Sequence, residues 1–413
     1  MNRRPVRCSI LAVGDFPEGS ATSQRLYLLA KLLNEGLFDA SLWIIHPTSK
    51  VPIEENSSVA GECGGVKFIY LSGTTVRPTG VLGALLDTVR GIYRSVRLIT
   101  NFGKDRPDVL VVITPNFTKF IVPMIAAKLM CIPIIVEVCE IYSKSTDLAG
   151  AGVLRRIANS GQSLMERLIP VMSAGLLVIS RGIRQYYEKL GLSSKAAYLL
   201  PVLVDSERYE KGGLAVVEGL EGVEYLLNSG SFSEKDGLNH IVQAMTSVHE
   251  EHPQIKLVFT GEATKSIREK ILGSADSKGQ EWIIFTGLLS RDALIWCYKN
   301  ARGLLCCRSN SDYANYGFPT KLAEYLASGR PVVATSVGDV EEYLADEDSA
   351  FLAKPENVES IALAIRRLLY DPVHAEKIGQ QGAEVARQYF DYRNHVEKVS
   401  SFIRRRIGVE GSE

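Results

Sequence analysis

Long apolar runs are missing from this 413-residue chain. No stretch approaches the roughly 18 consecutive apolar residues that a membrane-spanning helix needs. An excess of one charge is missing too. Lys plus Arg number 47 and Asp plus Glu number 47, which leaves nothing for a dedicated nucleic-acid binder, whose phosphate contacts require a basic surplus. The seven cysteines (8, 63, 131, 139, 297, 306 and 307) show no CxxC spacing, and an odd number leaves one unpaired. Cys306 and Cys307 adjoin inside the apolar run Leu304–Cys307 and read as small buried hydrophobes. A reducing cytoplasm suits them. No GxSxG elbow marks a nucleophile, and no GxGxxG follows the first strand pattern, which argues against a dinucleotide site. Six scattered histidines (46, 240, 249, 252, 374 and 395) form no catalytic constellation. His46 ends a strand pattern, but a lone histidine is ordinarily structural. Arg3, Arg4 and Arg7 precede an apolar stretch that Gly14-Asp15 interrupts without a cleavage site, so we expect a first strand there and not a signal peptide.

What is present is an ordinary globular balance, 46% hydrophobic and 23% charged, which excludes disorder, collagen and coiled coil. The length suggests two or three domains. Zero net charge is an average: residues 1–205 hold 23 basic and 16 acidic groups, and residues 206–413 hold 24 and 31. Two halves of opposite sign imply two domains with different neighbours. Short apolar runs alternate with amphipathic ones throughout. Cys8–Val13, Ala40–Ile45, Lys67–Leu71, Val109–Thr114, Ile132–Val138 and Leu176–Ile179 read as strands. The Val and Ile runs among them are those of parallel strands buried on both faces. A second set follows at Tyr225–Ser229, Lys256–Thr260, Trp282–Thr286, Gly303–Cys307 and Pro331–Ala334. Helical spacing marks Ser23–Glu35, Leu238–His249, Pro319–Ser328 and Ser360–Tyr370, with one long C-terminal helical segment, Ala383–Ile407, able to pack back on the first domain. Strand–helix alternation twice over predicts two doubly wound α/β domains, with ligands at the carboxyl ends of their strands.

The most informative segment is Asn315–Ala334. Pro319 suits a first helical turn, Gly329 its exit, and Pro331 opens a buried strand. The helix N-terminus at Thr320–Leu322 offers free N–H groups and the positive dipole end, an anion site. Lys321 stands on that turn, where the dipole disfavours a cation unless an anion is bound. Glu324, one turn on, is expected to face the same cleft. The second segment, Gly230–Leu238, brackets Lys235 with glycines and serines where a strand meets a helix. On its own it is an ordinary surface turn.

Together these motifs resemble the C-terminal domain of glycosyltransferase family 4, retaining enzymes of the GT-B fold. The order is Gly230…Lys235-Asp236-Gly237, Val258-Phe259-Thr260-Gly261-Glu262, Phe285-Thr286-Gly287, Gly317-Phe318-Pro319…Glu324…Gly329-Arg330-Pro331-Val332-Val333-Ala334, then Val337-Gly338-Asp339-Val340-Glu341. The first half matches more loosely, through Gly14-Asp15-Phe16-Pro17-Glu18-Gly19-Ser20, Ile132-Pro133…Glu137-Val138-Cys139-Glu140, Leu177–Ser180 and Pro201…Asp205. The resemblance implies an α/β protein of two Rossmann-like domains facing across a cleft. Residues 1–205 would form the acceptor side, with 390–413 packing back on it, and residues 206–389 would bind the nucleotide-sugar. It implies catalytic roles for Lys235 and Lys321 at the diphosphate and for Glu324 at the ribose. Donor contacts would come from Gly19, Ser20, Gly230, Ser231, Gly261, Gly287, Tyr316, Gly317, Phe318, Pro319, Thr320 and Leu322, with Glu140 on the acceptor side. Three positions depart from the family: Tyr316 stands where a second glutamate is common, Ser231 where an arginine usually follows the loop glycine, and the histidine often found near position 139 is absent.

The function so implied is a hexosyltransferase moving sugar from a nucleoside-diphosphate sugar, of the UDP-sugar kind, to a glycan or lipid-linked acceptor in cell-surface polysaccharide or glycolipid synthesis. Negative charge developing on the diphosphate needs preorganised cations and dipoles. Lys235, Lys321 and the helix N-terminus would supply them with no metal and no cofactor, and the leaving phosphate itself would take the acceptor's proton. Asp346-Glu347-Asp348, the one DxD-like triplet, reads as a solvated turn. Two alternatives stand beside this reading: a non-catalytic nucleotide-sugar-binding protein, and a GT-B nucleotide-sugar epimerase, which should show clustered acids and a histidine. Residues 81–102 place Val81, Leu82, Leu85, Leu86, Val89, Ile92, Val96 and Ile99 at helical spacing with Arg90, Arg94 and Arg97 interleaved. Such a helix either packs in a core with a basic edge or lies on an anionic membrane. The basic balance of the first half, with Leu154-Arg155-Arg156-Ile157 adding to it, favours the membrane. A cytoplasmic protein peripheral to the inner face of the membrane, with a lipid acceptor carrying a sugar, is the expectation.

Overall fold

The structure is a computed structural model that describes residues 4–103, 106–144, 153–275 and 279–409. The chain forms two compact units, Met1–Pro201 with Tyr392–Glu413, and Val202–Asp391. The chain therefore leaves the first unit at Pro201, four residues before the expected boundary, and re-enters it at Tyr392.

Unit 1 contains strands β1 (Val6–Ala12), β2 (Phe38–Ile44), β3 (Ala60–Cys63), β4 (Val66–Tyr70), β5 (Val109–Ile113), β6 (Ile134–Val138), β7 (Gly175–Val178) and β8 (Ala197–Leu199). Helices α1 (Ala21–Glu35), α2 (Val81–Thr100), α3 (Phe117–Leu129), α4 (Val153–Met172) and α5 (Arg181–Lys189) connect them. The sheet order is β3-β4-β2-β1-β5-β6-β7-β8. Only the short β3, added to β4, runs antiparallel. Every residue of β5 and β6 is buried, the outcome that their Val and Ile content requires of strands covered on both faces. Inside this apolar layer sits one ion pair. Glu137 on β6, at 0% exposure, accepts from Arg25 Nε at 2.8 Å and Nη2 at 2.6 Å. Arg25 also donates to the carbonyls of Leu200 and Pro201, which ties α1 to the segment that leaves the unit.

Helix α2 is turned inside out. Its buried residues are Asp87, Gly91, Ser95 and Ile99, whereas Val81 (89% exposed), Leu82 (69%), Leu85, Leu86, Val89 and Tyr93 (65%) face outward. Asp87 is buried because it has partners, accepting from Arg77 Nη1 at 2.9 Å and Thr74 Oγ1 at 2.7 Å. Gly91 is there because nothing larger fits: a Cβ would lie 2.0 Å from the Ile45 carbonyl oxygen. Of the two readings of 81–102, a core helix with its apolar row inward is thereby excluded.

Unit 2 contains β9 (Tyr225–Ser229), β10 (Lys256–Thr260), β11 (Ile283–Gly287), β12 (Gly303–Cys306), β13 (Val332–Thr335) and β14 (Phe351–Ala353). Its helices are α6 (Ser206–Lys211), α7 (Leu238–Glu251), α8 (Lys265–Leu272), α9 (Gly279–Trp282), α10 (Arg291–Asn300), α11 (Asp312–Tyr316), α12 (Thr320–Ala327), α13 (Val358–Tyr370) and α14 (Pro372–Val385). The order β11-β10-β9-β12-β13-β14 is the doubly wound 3-2-1-4-5-6, with its switch point between β9 and β12. In unit 1 the corresponding reversal lies between β1 and β5.

The C-terminal segment is not one helix. It breaks after Ala386–Phe390, where Asp391 turns extended and accepts from Ser206 N at 3.0 Å. Phe390 packs in unit 2 against Phe318 and Tyr343, so the chain is pinned before it crosses. Beyond the crossing, α15 (Val396–Arg406) packs on α1, with Arg404 Nη2 donating to Gly36 O at 2.7 Å. Among the described residues no helix is long and apolar enough to cross a membrane. The side chains of Leu154, Arg155 and Ile157 lie outside the described residues.

Candidate functional site

At the switch point of unit 2 the strand ends are drawn together by glycine. Gly230 follows β9 and Gly261 follows β10, at φ +140° and +137°. A Cβ on Gly261 would lie 2.1 Å from the Gly230 carbonyl oxygen, so only glycine permits this approach. Gly230 N donates to Thr260 O and Gly261 N to Gly287 O, each at 2.9 Å, linking the ends of β9, β10 and β11 in series. Gly237, at φ +62°, begins α7 against the Cys307 carbonyl, where a Cβ would come within 2.0 Å.

Helix α12 opens into the same region. Its N-terminus has no side-chain cap, because Pro319 stands at the cap position. Leu322 N donates to Pro319 O at 3.0 Å and is not free as expected, which leaves the Thr320 and Lys321 N–H groups and the positive dipole end for an anion. Lys321, in that turn, lies within 2.9 Å of the position a Gly230 Cβ would occupy. Its ammonium does not stand free as expected. Nζ donates to Asp236 Oδ1 at 2.9 Å, and both side chains are largely buried. Burial alone would raise the Asp236 carboxyl, but Lys321, the Ser233 hydroxyl and Arg308 outweigh it and hold the group below the usual carboxylate range. Lys321 is thus neutralised within the protein.

The uncommitted cation is Arg308, which the sequence reading missed. It leaves the carboxyl end of β12, is only 6% exposed, and its Nη1 has no partner. Among the described residues its guanidinium makes no hydrogen bond or ion pair, although it lies close enough to Asp236 to lower that carboxyl. With Lys321 and Asp236 cancelling, the cluster carries one unbalanced positive charge in a buried setting. Such a charge is costly unless an anion joins it. The sequence did hold a signal: a cation directly after the buried run Leu304–Cys307, at a strand's carboxyl end.

Glu324 sits one turn below Lys321 and is nearly buried. Oε1 accepts from Arg291 Nη1 at 3.2 Å and Oε2 from Tyr298 OH at 3.4 Å. Tyr298 in turn meets Ser229 Oγ at 2.8 Å, and Tyr325 OH accepts from Ser229 N at 2.7 Å. Burial, with the Glu324 charge next, drives the Tyr298 and Tyr209 hydroxyls well above their ordinary range. Glu324 is therefore held by α10 and its tyrosines. Lys235 lies over the Tyr313 ring, 4.6 Å from its centre, and its carbonyl accepts from Ser309 N.

Other expected donor residues fall into two groups. Gly230, Ser231, Gly261, Gly287, Thr320 and Leu322 line these strand and helix ends in unit 2. Tyr316 ends α11 and Gly317 follows it, touching the Gly338 turn. Phe318 is instead a packing residue, its ring 5.5 Å from those of Tyr343 and Phe390, with buried Pro319 beside it. Gly19 and Ser20 belong to unit 1, where Ser20 caps α1 by accepting from Thr22 N. Glu140 follows β6, half-buried. The acidic triplet is an exposed turn, with Arg367 Nη1 donating to Asp346 Oδ2 at 3.0 Å and Glu347 Oε1 at 2.9 Å. Among the described residues, no group of three or more His, Cys, Asp or Glu is placed to hold a metal ion.

The chain is similar to proteins of known class. Along 98% of its length it superposes on a sucrose-phosphate synthase from Thermosynechococcus elongatus, covering all of that chain at a TM-score of 0.73 and 14% identity. It superposes likewise on Anabaena HepE in complex with UDP-glucose, with 95% of this chain and 98% of that one covered, a TM-score of 0.69 and 13% identity. Such likeness shows the fold, and both units are Rossmann-like halves of the GT-B fold. In sequence, 147 residues are 29% identical to an uncharacterized glycosyltransferase of Methanocaldococcus jannaschii, covering 35% of this chain and 36% of that protein. Another 159-residue match is 23% identical to the alpha-1,3/1,6-mannosyltransferase ALG2 of Dictyostelium discoideum, over 37% and 36% respectively. The aligned segments span about a third of these curated relatives. Residues 214–385, most of unit 2 and including every strand of its sheet, match the family described as Glycosyl transferases group 1.

Proposed function

We propose that this chain is a retaining glycosyltransferase that moves a sugar from a nucleoside-diphosphate sugar to a glycan or lipid-linked acceptor in cell-surface polysaccharide or glycolipid synthesis. The observation that carries this reading is the unbalanced buried charge of Arg308 at the switch point of unit 2, beside the uncapped N-terminus of α12. Both act on a diphosphate leaving group. As the anomeric C–O bond breaks, charge develops on the diphosphate, and fixed donors already in place stabilise it without reorganising. Arg308 fills the role left open by Ser231, the position where the family usually carries arginine. Lys321, paired with Asp236, orients that corner, and Lys235 approaches the diphosphate from the loop after β9. Glu324, fixed by Arg291 and Tyr298, meets the ribose hydroxyls. The leaving phosphate oxygen takes the acceptor's proton, so the reaction requires no cofactor and no metal. HepE is described in complex with UDP-glucose, which makes UDP-sugars the first donors to try. The test is a donor panel: the protein should be stabilised by one nucleotide-sugar and release free nucleoside diphosphate from it. A panel in which none stabilises the protein overturns the reading.

The same proposal places the protein in the cytoplasm, on the inner face of the membrane. What supports this is the outward row Val81, Leu82, Leu85, Leu86, Val89 and Tyr93 on α2, flanked by exposed Arg90, Arg94 and Arg97. An apolar row with a basic border matches a bilayer of anionic lipids in both hydrophobicity and charge. Sedimentation with anionic vesicles at low salt should retain the protein; failure to bind them refutes the membrane contact.

A further inference from the structure

Unit 1 has its own unbalanced cation, at its own switch point, and the mechanism above does not use it. Lys119 stands in the first turn of α3, just beyond β5. It is half-buried, and among the described residues its ammonium makes no hydrogen bond and meets no carboxylate. Burial first, and Arg77 next, lower its tendency to hold a proton. Arg77 is already committed, donating from Nη1 to Asp87 Oδ2 at 2.9 Å and from Nη2 to Thr88 Oγ1 at 2.8 Å. Asp87 thus serves Arg77, and among the described residues Lys119 has no carboxylate of its own. His46, past the end of β2, feels the charges of Lys119, Arg77 and Asp87. Its Nδ1 lies 2.8 Å from the Pro47 carbonyl oxygen and so donates to it, while Nε2 is buried with no partner. That leaves one lone pair and one ammonium unused within electrostatic reach of each other. Asp15, on the same edge, is saturated by the Thr48 and Ser49 backbone N–H groups and the Thr48 hydroxyl.

The geometry points to a phosphate-binding site in unit 1, formed by Lys119, Arg77 and His46, that takes the phosphate of a phosphorylated glycosyl acceptor. Phosphate oxygens supply the counter-charge that Lys119 lacks, with Arg77 adding positive potential beside it, and a hydroxyl on or beside the phosphate donates to His46 Nε2. The α3 N-terminus is not what binds: Asn116 caps it, its side chain accepting from Lys119 N at 3.1 Å. Recognition therefore rests on side chains. Naming the ligand an acceptor rests on the glycosyltransferase reading; the phosphate site does not. A lipid-linked phosphate and a soluble sugar phosphate present the same chemistry. Arg77 is anchored on the second turn of α2, the helix with the outward apolar row, so a lipid phosphate could reach the site from a membrane held there.

The test uses the full chain carrying Arg308→Gln, which silences the anion site of unit 2. Inorganic phosphate titrated by phosphorus NMR should still bind, and adding Lys119→Gln should weaken binding at least tenfold, whereas Lys119→Arg should restore it. Equal binding with and without Lys119→Gln, in proteins of unchanged circular dichroism, overturns the site. Two arms identify the source: glucose 1-phosphate in solution, and phosphatidylcholine vesicles with or without polyprenyl phosphate. A Lys119-dependent response in one arm assigns the ligand to that source, and no such response in either refutes the acceptor assignment. Should no nucleotide-sugar bind while Lys119-dependent phosphate binding persists, it is the glycosyltransferase reading that fails and not the site.

Discussion

The two units solve one problem with different materials. Each has a doubly wound sheet, and each carries beside its strand reversal a cation cancelled by a carboxylate and a second cation left over. In unit 2 these are Lys321 with Asp236, and Arg308; in unit 1, Arg77 with Asp87, and Lys119. Unit 2 surrounds its extra charge with backbone: glycines pressed together at the strand ends and a helix N-terminus with no side-chain cap. Unit 1 caps the matching helix with Asn116 and surrounds its extra charge with side chains. A backbone cradle suits a diphosphate whose charge must be met without rearrangement. A side-chain cradle is easier to vary, as befits the half that, under the proposed function, recognises the acceptor. Elsewhere in unit 1, Arg25 and Glu137 form a buried pair whose charges cancel, although Glu137 Oε2 has no hydrogen-bond partner among the described residues.

The contrast between matched and surplus charge can be broken by substitution. Removing one member of a matched buried pair leaves the other uncompensated, so Glu137→Gln should cost about 3–5 kcal/mol of stability, measured by urea unfolding. Arg308→Gln should do the reverse. It relieves a surplus charge, so the melting temperature should hold or rise, while kcat should fall by roughly 10²–10³, the usual loss on removing one donor from a preorganised anion site. An Arg308→Gln protein as unstable as Glu137→Gln would erase the distinction between the two. A smaller effect concerns acid. Because the folded Asp236 carboxyl lies below its ordinary value of 3.8, the unfolded chain takes up the proton first as pH falls. Its contribution to stability is present above that value and drains away as pH drops through the lower, folded one. Asp236→Asn should therefore flatten the acid limb of a stability–pH profile below about pH 4, and an unchanged limb would place the charge balance elsewhere. Smallest in stability is the triple change Leu82→Gln, Leu85→Gln, Val89→Gln on α2. Exposed positions of this kind shift stability by only about 0.5 kcal/mol each, yet vesicle binding should disappear. A large loss of stability instead would mean that the row packs against protein.

Much of the fold was legible because parallel strands buried on both faces must be short runs of Val, Ile and Leu. Tyr225–Ser229 and Lys256–Thr260 were read to the residue, and Val109–Ile113 differs by one. Short edge strands such as Ala60–Cys63 and Phe351–Ala353 carry no such signature and went unread. The C-terminal segment misled because helical periodicity continues across Asp391, and only the capture of Phe390 by Phe318 and Tyr343 interrupts it. In the site, the glycines and the helix start at Thr320 were readable from their turn chemistry. The state of each charge was not. Lys321 is matched and Arg308 is surplus because Asp236, 72 positions before Arg308 in the chain, folds between them.

The sequence by itself determined two doubly wound α/β units, the family that the second resembles, and the glycine turns at its strand ends. Period, turn residues and local spacing are short-range properties, and they survive in a string of letters. Tertiary structure alone decided that α2 turns its apolar side outward, because Asp87 finds Arg77 and Gly91 meets the Ile45 backbone. It also decided which cations are spent and which are left over, since charge compensation depends on distance in space between residues the chain keeps far apart.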